Sequence, residues 1–388
     1  MVSQYRADHV GSLLRPPELL EARVAHADGR LSADDLREVE DRAVLSILQV
    51  QREAGVDVFS DGEYRRAMWL TGLPDAVDGF VEGRQVGARR WRGGEPRPAP
   101  TASGPTASEP GSAAPQIAPG PTPKMVIGGK LRATRPFTGI EASFLAESAP
   151  GPYKVTMPSP TWFMHGYVPG VSDAVYPTRA EALDDLVTIV RDEIRRLVEA
   201  GVPYIQVDSI VYVFDYTDPE RRREWEEMGV DPDRAIDEAI AADNALLGGL
   251  PRDGVHFGLH MCRGNLMSRW HAEGGYDLVA ERAFGSLLFD SLLLEYDSDR
   301  AGGFEPLRHV RDGTNVVLGL VSSKMAALEA PDDLRRRIAE AARYVPSENL
   351  AISPQCGFAS VAAGNAISWD DQRRKLELVA ETARQVWG

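Results

Sequence analysis

Eight short apolar segments recur along this chain, and most are separated by stretches with helical periodicity. They are rich in β-branched and aromatic residues, which favour strands. Strands that alternate with helices are typical of parallel sheets, because a parallel connection needs a long crossover. The segments cover residues 7–13, 56–63, 153–159, 204–209, 255–262, 292–298, 315–323 and 350–357.

The intervening sequence predicts long amphipathic helices. The clearest cover residues 32–55, 179–201, 331–345 and 369–387. In the last of them the apolar residues recur at helical spacing, so that they line one face. Eight strands with intervening helices predict an α/β fold, a (β/α)8 TIM barrel formed as a single domain by residues 1–388, with the active site at the carboxyl ends of the strands.

One region departs from this alternation. Residues 96–123 contain nine prolines and few large apolar side chains. Such a segment buries too little apolar surface to offset the entropy of ordering it. We therefore predict that residues 84–130 form a flexible insertion rich in proline, alanine and serine, carried on the surface of the barrel.

Composition restricts the partners. The formal net charge is −15 at pH 7, which opposes binding to nucleic acid. The sequence shows neither a signal-peptide pattern nor an uncharged stretch of about 18 residues, which predicts a cytoplasmic protein without a membrane partner. Only two cysteines occur, so in a reducing compartment they are buried thiols, metal ligands or nucleophiles. The composition is compatible with a homo-oligomer.

The fifth segment places a histidine and a cysteine two residues apart, in GLHMCRGN at 258–265. Alternate residues of a strand share a face, so His260 and Cys262 can reach one centre. Alone, this pair is more typical of a structural histidine beside a buried thiol. Glu295 and Cys356, at the ends of two later strands, add a carboxylate and a second thiolate, and this donor set favours zinc.

Six motifs then give a resemblance. HVGSL, SDGE, IQVDS, HMCRGN, LLEYD and SPQCGF occur in this order, each at a predicted strand end. Together they resemble the catalytic half of cobalamin-independent methionine synthase. The likeness extends over the chain apart from the proline-rich insertion. It is greatest to the short, single-barrel members, a group that includes the epoxyalkane:coenzyme M transferases.

The resemblance implies a role for each matched residue. It implies a catalytic Zn²⁺ held by His260, Cys262, Glu295 and Cys356, with Glu295 as the ligand that the substrate sulfur displaces. It implies that Glu63 and Asp208 hold the amino group of homocysteine. Gly11 and Ser12 match the segment that holds the carboxylate of the same substrate.

Two positions depart from the family pattern. Asp208 is followed by Ser209, where methionine synthase has glutamate. Ser322 stands where methionine synthase has the histidine proposed to protonate the folate leaving group. Ser322 or His9, on the first strand, is therefore the candidate proton source. Aromatic residues after the second and fourth strands could wall a pocket for the donor: Tyr64, Trp69, Tyr212, Phe214 and Tyr216.

The sequence thus predicts a zinc-dependent thiol alkyltransferase, with methyl transfer to homocysteine or a similar amino-thiol as the leading reaction. The methyl donor is a small molecule, a folate or a corrinoid protein. Thiol addition to an epoxide with coenzyme M is an alternative, although Glu63 and Asp208 would repel a sulfonate. A metal-free decarboxylase of the same barrel superfamily and a non-catalytic zinc or thiol-binding protein are further alternatives.

Overall fold

A computed structural model describes residues 5–83, 85, 91–93 and 124–388. Most of the predicted insertion at 84–130 lies outside these residues. Its last part does not, because residues 124–130 begin a strand that runs to Ala133. The strands are, in chain order, β1 (Val77–Glu82), β2 (Lys124–Ala133), β3 (Lys154–Pro158), β4 (Tyr204–Asp208), β5 (His256–Met261), β6 (Ser291–Glu295), β7 (Asn315–Val321) and β8 (Leu350–Pro354).

Six of the eight predicted strands are confirmed and form one parallel sheet, ordered β3-β4-β5-β6-β7-β8. All side chains of β3, β4, β5, β6 and β8 are buried, as expected for a parallel sheet covered on both faces. Strands β1 and β2 form a separate antiparallel pair that the sequence analysis missed. Their pairing explains why residues 124–130 are ordered as a strand, with Ile127 buried opposite Phe80.

The predicted strands at 7–13 and 56–63 are reduced to isolated bridges at the two edges of the sheet. Ala7 pairs in parallel with Ile352 of β8, and Phe59 pairs in parallel with Tyr153, next to β3. The backbone N–H of Asp57 also donates to the carbonyl of Ala7 at 3.0 Å. Both segments leave the extended conformation early, at Gly11 (φ 122°) and Gly62 (φ 70°).

The four predicted helices are confirmed, although the third ends four residues earlier than expected. The longest, α2, begins after Ser32, whose hydroxyl accepts a hydrogen bond from the Asp35 N–H at 3.1 Å. It ends at Gly55 in the left-handed conformation. The helices are α1 (Pro17–Ala27), α2 (Ala33–Ala54), α3 (Leu73–Ala76), α4 (Gly139–Ser148), α5 (Arg179–Glu199), α6 (Val211–Tyr216), α7 (Pro219–Glu227), α8 (Pro232–Ala245), α9 (Asp277–Ala283), α10 (Pro331–Ala341) and α11 (Trp369–Trp387).

Short 3-10 helices complete the described structure. They cover Pro160–Gly166, Ser172–Ala174, Asp299–Ala301, Glu305–His309 and Ser347–Asn349. The first follows β3 directly, so its aromatic residues lie beside the carboxyl ends of the strands. Among the described helices, none has both the length and the apolar character needed to cross a bilayer.

Candidate metal centre and active-site cavity

Three potential metal ligands meet where β5 and β8 end. His260 belongs to β5, Cys262 follows it directly, and Cys356 lies two residues beyond β8. Their donor atoms all lie within 4.8 Å of one another, and the two sulfur atoms are 3.6 Å apart. All three side chains are buried. The structure thus brings together three of the four predicted zinc ligands from distant parts of the sequence.

The two cysteines are free thiols, and their pKa values are shifted in opposite directions. The hydrogen bond with Cys262 lowers the pKa of Cys356 well below its usual value, and the nearby His260 adds to this effect. The same hydrogen bond, together with burial, raises the pKa of Cys262. The cluster therefore favours the thiolate form at Cys356 over Cys262.

His260 offers the clearest sign that the cluster suits a metal. The residue is 2% exposed, and apart from the interaction with the Cys356 thiol neither ring nitrogen has a hydrogen-bond partner among the described residues. A buried polar nitrogen without a partner costs free energy, which a coordinated cation would recover. One imidazole nitrogen and two sulfurs form a donor set that binds zinc more strongly than it binds magnesium or calcium. The residues present therefore fit zinc.

Glu295, the fourth predicted ligand, ends β6 but lies outside this cluster. One carboxylate oxygen accepts a hydrogen bond from the backbone N–H of Arg263 at 2.7 Å, and the other accepts one from Arg300 Nε at 3.1 Å. Burial raises the pKa of Glu295, but three nearby cations, led by Lys324, outweigh burial and hold the pKa below its usual value. The carboxylate is thus ionised, buried and held by arginine.

A cavity of about 250 Å³ opens beside the cluster. It brings the predicted substrate residues Ser12, Glu63 and Asp208 to the same space as the three donors. Apolar and aromatic side chains form most of the remaining wall, together with Gly264, Asn265, Gly357 and Ser360. The apolar and aromatic side chains are Val10, Met68, Trp69, Leu70, Trp91, Trp162, Ile210, Phe214, Leu266 and Val361.

Glu63 lies in an unusual backbone conformation that sets its side chain at the cavity. Its φ is 57°, in the left-handed region that non-glycine residues rarely adopt. One carboxylate oxygen accepts a hydrogen bond from Thr156 Oγ1 at 2.8 Å. The other oxygen is buried and has no hydrogen-bond partner among the described residues. This oxygen is available to a cationic ligand.

Asp208, the last residue of β4, provides the second carboxylate. Its Oδ1 accepts a hydrogen bond from Gln206 Nε2 at 2.9 Å. Burial raises the pKa of Asp208 to about 7, opposed by His260 and reinforced by the negative charge of Glu63. The carboxyl group is therefore poised to change its charge near neutral pH.

Gly11 and Ser12 lie at the same end of the molecule. Gly11 has φ 122°, and an added Cβ would come 2.6 Å from Thr156 Cγ2, so no other residue fits without displacement. Ser12 lines the cavity, whereas Gly11 lies beside it. A Cβ on Gly357 would come 1.8 Å from Ser12 Oγ, so the glycine leaves the space that the serine side chain occupies.

His9 and Ser322, the two candidate proton sources, do not line the cavity. His9 is 1% exposed, its Nε2 is 3.0 Å from the Val58 carbonyl oxygen, and burial lowers its pKa to about 4. Ser322 Oγ accepts a hydrogen bond from the Lys324 N–H at 3.3 Å. These positions do not support the predicted role of either residue as an acid for a leaving group.

Several residues that shape the site were not predicted from the sequence. Trp162 and Trp91 line the cavity with the expected Trp69 and Phe214, whereas the other three expected aromatics, Tyr64, Tyr212 and Tyr216, do not. Asn265 Nδ2 donates to the Gly357 carbonyl oxygen at 2.7 Å and so joins the two loops that carry the cysteines. The aromatic turn that follows β3 was the signal for Trp162. The RGN that follows HMC was the signal for Asn265.

The fold and the donor set define an α/β protein with a buried histidine-dithiol centre at the carboxyl ends of parallel strands. Comparisons with known proteins agree. A sequence model of the catalytic domain of cobalamin-independent synthase matches residues 171–384. The uncharacterised protein YxjH of Bacillus subtilis is 36% identical over 99% of this chain and 95% of its own length.

Two further relatives carry a functional description. A methionine synthase of Saccharolobus solfataricus is 25% identical over 90% of this chain and 86% of that protein. A solved structure from Listeria monocytogenes, assigned as a vitamin B12-independent methionine synthase, has a TM-score of 0.69 and 26% identity and covers 100% of this chain and 99% of that one. The chain belongs to the cobalamin-independent methionine synthase family. Methyl transfer is therefore its class of reaction.

Proposed function

We propose that this protein is a zinc-dependent methyltransferase whose acceptor is the thiol of homocysteine or a similar amino-thiol. One observation carries the proposal: the histidine-dithiol cluster and two buried carboxylates, Glu63 and Asp208, share one cavity. A metal donor set alone would suit many reactions. The adjoining carboxylates restrict the substrate to a molecule that carries a positive charge near its sulfur.

We also propose that the sheet closes into a (β/α)8 barrel. The supporting contacts lie at its two edges, where Ala7 pairs with β8 and Phe59 pairs beside β3. The hydrogen bond between Asp57 and Ala7 joins these two edge segments to each other. Closure would place Glu63 and Ser12 in the same ring of strand ends as His260, in agreement with the cavity that they share.

His260, Cys262 and Cys356 would hold the zinc, with Glu295 as the proposed fourth ligand on the neighbouring strand. When bound, zinc supplies a Lewis acid that keeps a substrate sulfur in the thiolate form at neutral pH. The two protein thiolates would limit the positive charge at the centre, which preserves the nucleophilicity of that sulfur. Arg300 and the Arg263 N–H would hold the Glu295 carboxylate when it is not a ligand.

The remaining residues bind and orient the acceptor. The unpaired oxygen of Glu63 and the carboxylate of Asp208 would receive the ammonium group, which keeps the charge paired away from water. Ser12 would donate its hydroxyl hydrogen to the substrate carboxylate. Fixing both ends of the amino acid places its sulfur toward the cluster, so that one conformation is presented to the donor.

The first test is the metal and its response to substrate. The protein as purified should contain one zinc per chain, and X-ray absorption should show one additional sulfur neighbour when homocysteine is added. A site that stays unchanged with homocysteine would be a structural zinc and would contradict the proposal. Cysteamine, which lacks the carboxylate, and coenzyme M, which carries a sulfonate, serve as comparison thiols. Stronger binding of coenzyme M than of homocysteine would favour the epoxide reaction instead.

The charge of Asp208 predicts a pH dependence for the product. Its pKa of about 7 means that the carboxyl group is protonated below pH 7 and must lose that proton to pair with an ammonium. We therefore expect the affinity for methionine to fall by about tenfold per unit as the pH drops below 7, and to be level just above it. Isothermal titration calorimetry with the zinc protein measures this slope.

Two controls assign the slope to this pair of charges. In Asp208→Asn the slope should disappear, and 4-(methylthio)butanoate, which lacks the amino group, should show no such slope with the unmodified protein. Methionine has no thiol, so ionisation of a substrate sulfur does not contribute. An unchanged slope in Asp208→Asn would contradict the assignment.

A further inference from the structure

The cavity has a continuous aromatic wall, defined here as Trp69, Trp91, Trp162 and Phe214. The ring centroids of Trp69 and Trp162 lie 5.6 Å apart, and those of Trp162 and Phe214 lie 5.0 Å apart at 84°. Trp91 contacts Phe214 edge to face at 6.2 Å. The proposed acceptor does not require this wall, because its two charged groups and its sulfur are already assigned to other residues. The wall is therefore available to the second substrate.

Carboxylates outnumber permanent cations in the lining of the cavity, although Arg66 lies behind Glu63, 3.8 Å from one of its carboxylate oxygens. Within the described part of the chain, the acidic lining residues are Glu63 and Asp208, and the lining includes neither lysine nor arginine. Lys324, whose charge acts on both cysteines, lies outside the lining. An aromatic wall next to carboxylates attracts cations, because the ring faces and the carboxylates both present negative charge. A polyanionic donor would find no counter-charge on these residues.

Among the described lining residues, no acid remains free for a basic leaving group, because Asp208, whose pKa is about 7, is the carboxylate assigned to the ammonium of the acceptor. His9 and Ser322 lie outside the cavity, and burial lowers the pKa of His9 to about 4. A donor that leaves as an amine or an alkoxide needs a proton in or after the transfer step. A donor whose leaving group departs as a neutral molecule needs none. Among methyl donors that carry a positive charge, methylsulfonium compounds leave in this way, as thioethers.

We propose that the methyl donor of this enzyme is a methylsulfonium compound, held by the aromatic wall. The proposal rests on the proposed thiol methyltransferase function and names its second substrate class. The acceptor thiolate attacks a methyl carbon of the sulfonium. A carbon–sulfur bond forms as the old one breaks, and the electron pair of the broken bond stays on the departing sulfur. An anion and a cation become two neutral thioethers, with no proton, oxidant or reductant consumed.

Desolvation favours this step in particular. The reactants are charged and the products are neutral, so charge is already partly lost in the transition state. An apolar wall that excludes water therefore destabilises the transition state less than it destabilises the separated ions. Sulfonium methyl groups carry part of the positive charge and pack against indole faces, as quaternary ammonium ligands do. The wall thus binds the donor and leaves its methyl group open to attack.

The direct test uses trimethylsulfonium in which all hydrogens are deuterium, the zinc-loaded protein and unlabelled homocysteine. We expect methionine with three deuterium atoms, together with deuterated dimethyl sulfide, both detected by mass spectrometry. Parallel reactions contain 5-methyltetrahydrofolate or methylcobalamin in place of the sulfonium. Transfer from either of these, with none from the sulfonium, would overturn the proposal.

Binding of the donor is measured separately through tryptophan fluorescence. Trimethylsulfonium should bind at least about tenfold more tightly than tert-butyl alcohol, a neutral molecule of similar shape. In Trp162→Leu the Kd for the cation should rise by about 30-fold, and in Trp162→Phe by less. Trp387→Leu, at the end of α11 and far along the chain from the wall, is the matched control and should bind like the unmodified protein. Equal binding of the cation and the alcohol would overturn the proposal.

Two further measurements separate the causes of a negative result. Trp69→Leu replaces Trp162→Leu if the latter fails to fold, since Trp69 is only partly buried. X-ray absorption at zinc shows whether homocysteine adds a sulfur neighbour. If homocysteine binds and no sulfonium methyl is transferred, the donor proposal alone is wrong. If homocysteine does not bind, the proposed function is wrong and the donor proposal falls with it.

Discussion

His260→Asn should lose zinc while His256→Asn retains it. Both histidines lie on β5 and are buried, four residues apart, but only His260 belongs to the cluster with the two thiols. His256 is 2.9 Å from Ser291 Oγ through its Nε2 and lies at the opposite end of the strand. Loss of a partner outside the coordination shell commonly costs 10- to 100-fold in metal affinity, so loss of a ligand should cost more than about 100-fold.

The measurement is zinc content after dialysis against a chelator, followed by titration with zinc under competition. Cys356→Ser should behave like His260→Asn, because a hydroxyl is a poor replacement for a thiolate at zinc. Thermal unfolding of both histidine variants shows whether the fold has survived. Full zinc content in His260→Asn and Cys356→Ser would exclude this cluster as the metal site.

Active sites of α/β folds lie at the carboxyl ends of parallel strands, and this rule explains how much of the site could be predicted from the sequence. His260 and Cys262 alternate on one strand, and Cys356 follows another, so a parallel sheet necessarily gathers them at one edge. Asp208, the last residue of β4, follows from the same rule. Each position depends only on the order of strands and on the direction in which side chains alternate, and both of these are encoded locally in the sequence.

The parts that sequence did not predict depend on contacts between distant residues. Glu295 ends its strand as expected, but the hydrogen bonds of its carboxylate with Arg300 and the Arg263 N–H were not predicted. The segments at 7–13 and 56–63 have strand-like composition, yet each joins the edge of the sheet through a single isolated bridge. Contacts of this kind are settled by packing, which no local pattern records.

Trp162 shows a second limit of sequence reasoning. It lies in a 3-10 helix with the largely apolar sequence PTWFMHG. From that sequence alone, Trp162 could equally face the core or the cavity. The structure places Phe163 in the core at 0% exposure, while Trp162 beside it reaches the cavity. Which of two adjacent aromatics faces a site depends on the exact turn geometry after β3 rather than on composition.

Glu63→Gln should weaken homocysteine binding by about 100-fold and leave the zinc content unchanged. Removing one partner of a buried, hydrogen-bonded charge pair typically costs about 2–5 kcal/mol. The amide keeps the volume of the side chain and its contact with Thr156, so the change is confined to charge, which includes the loss of the ion pair with Arg66 at 3.8 Å. 4-Mercaptobutanoate, which lacks the amino group, provides the control because it cannot use the lost charge.

The comparison of the two thiols decides between a charge effect and a distorted site. If Glu63 holds the ammonium, the variant loses affinity for homocysteine but binds 4-mercaptobutanoate as well as before or better, since the carboxylate of Glu63 no longer repels an anionic ligand in the cavity. A similar loss for both thiols would mean that the substitution has disturbed the left-handed turn at residue 63, where φ is 57°. If the variant and the unmodified protein bind both thiols with equal affinity, Glu63 does not belong to the acceptor site. Among the described lining residues, Asp208 would then be the only carboxylate that can pair with the ammonium.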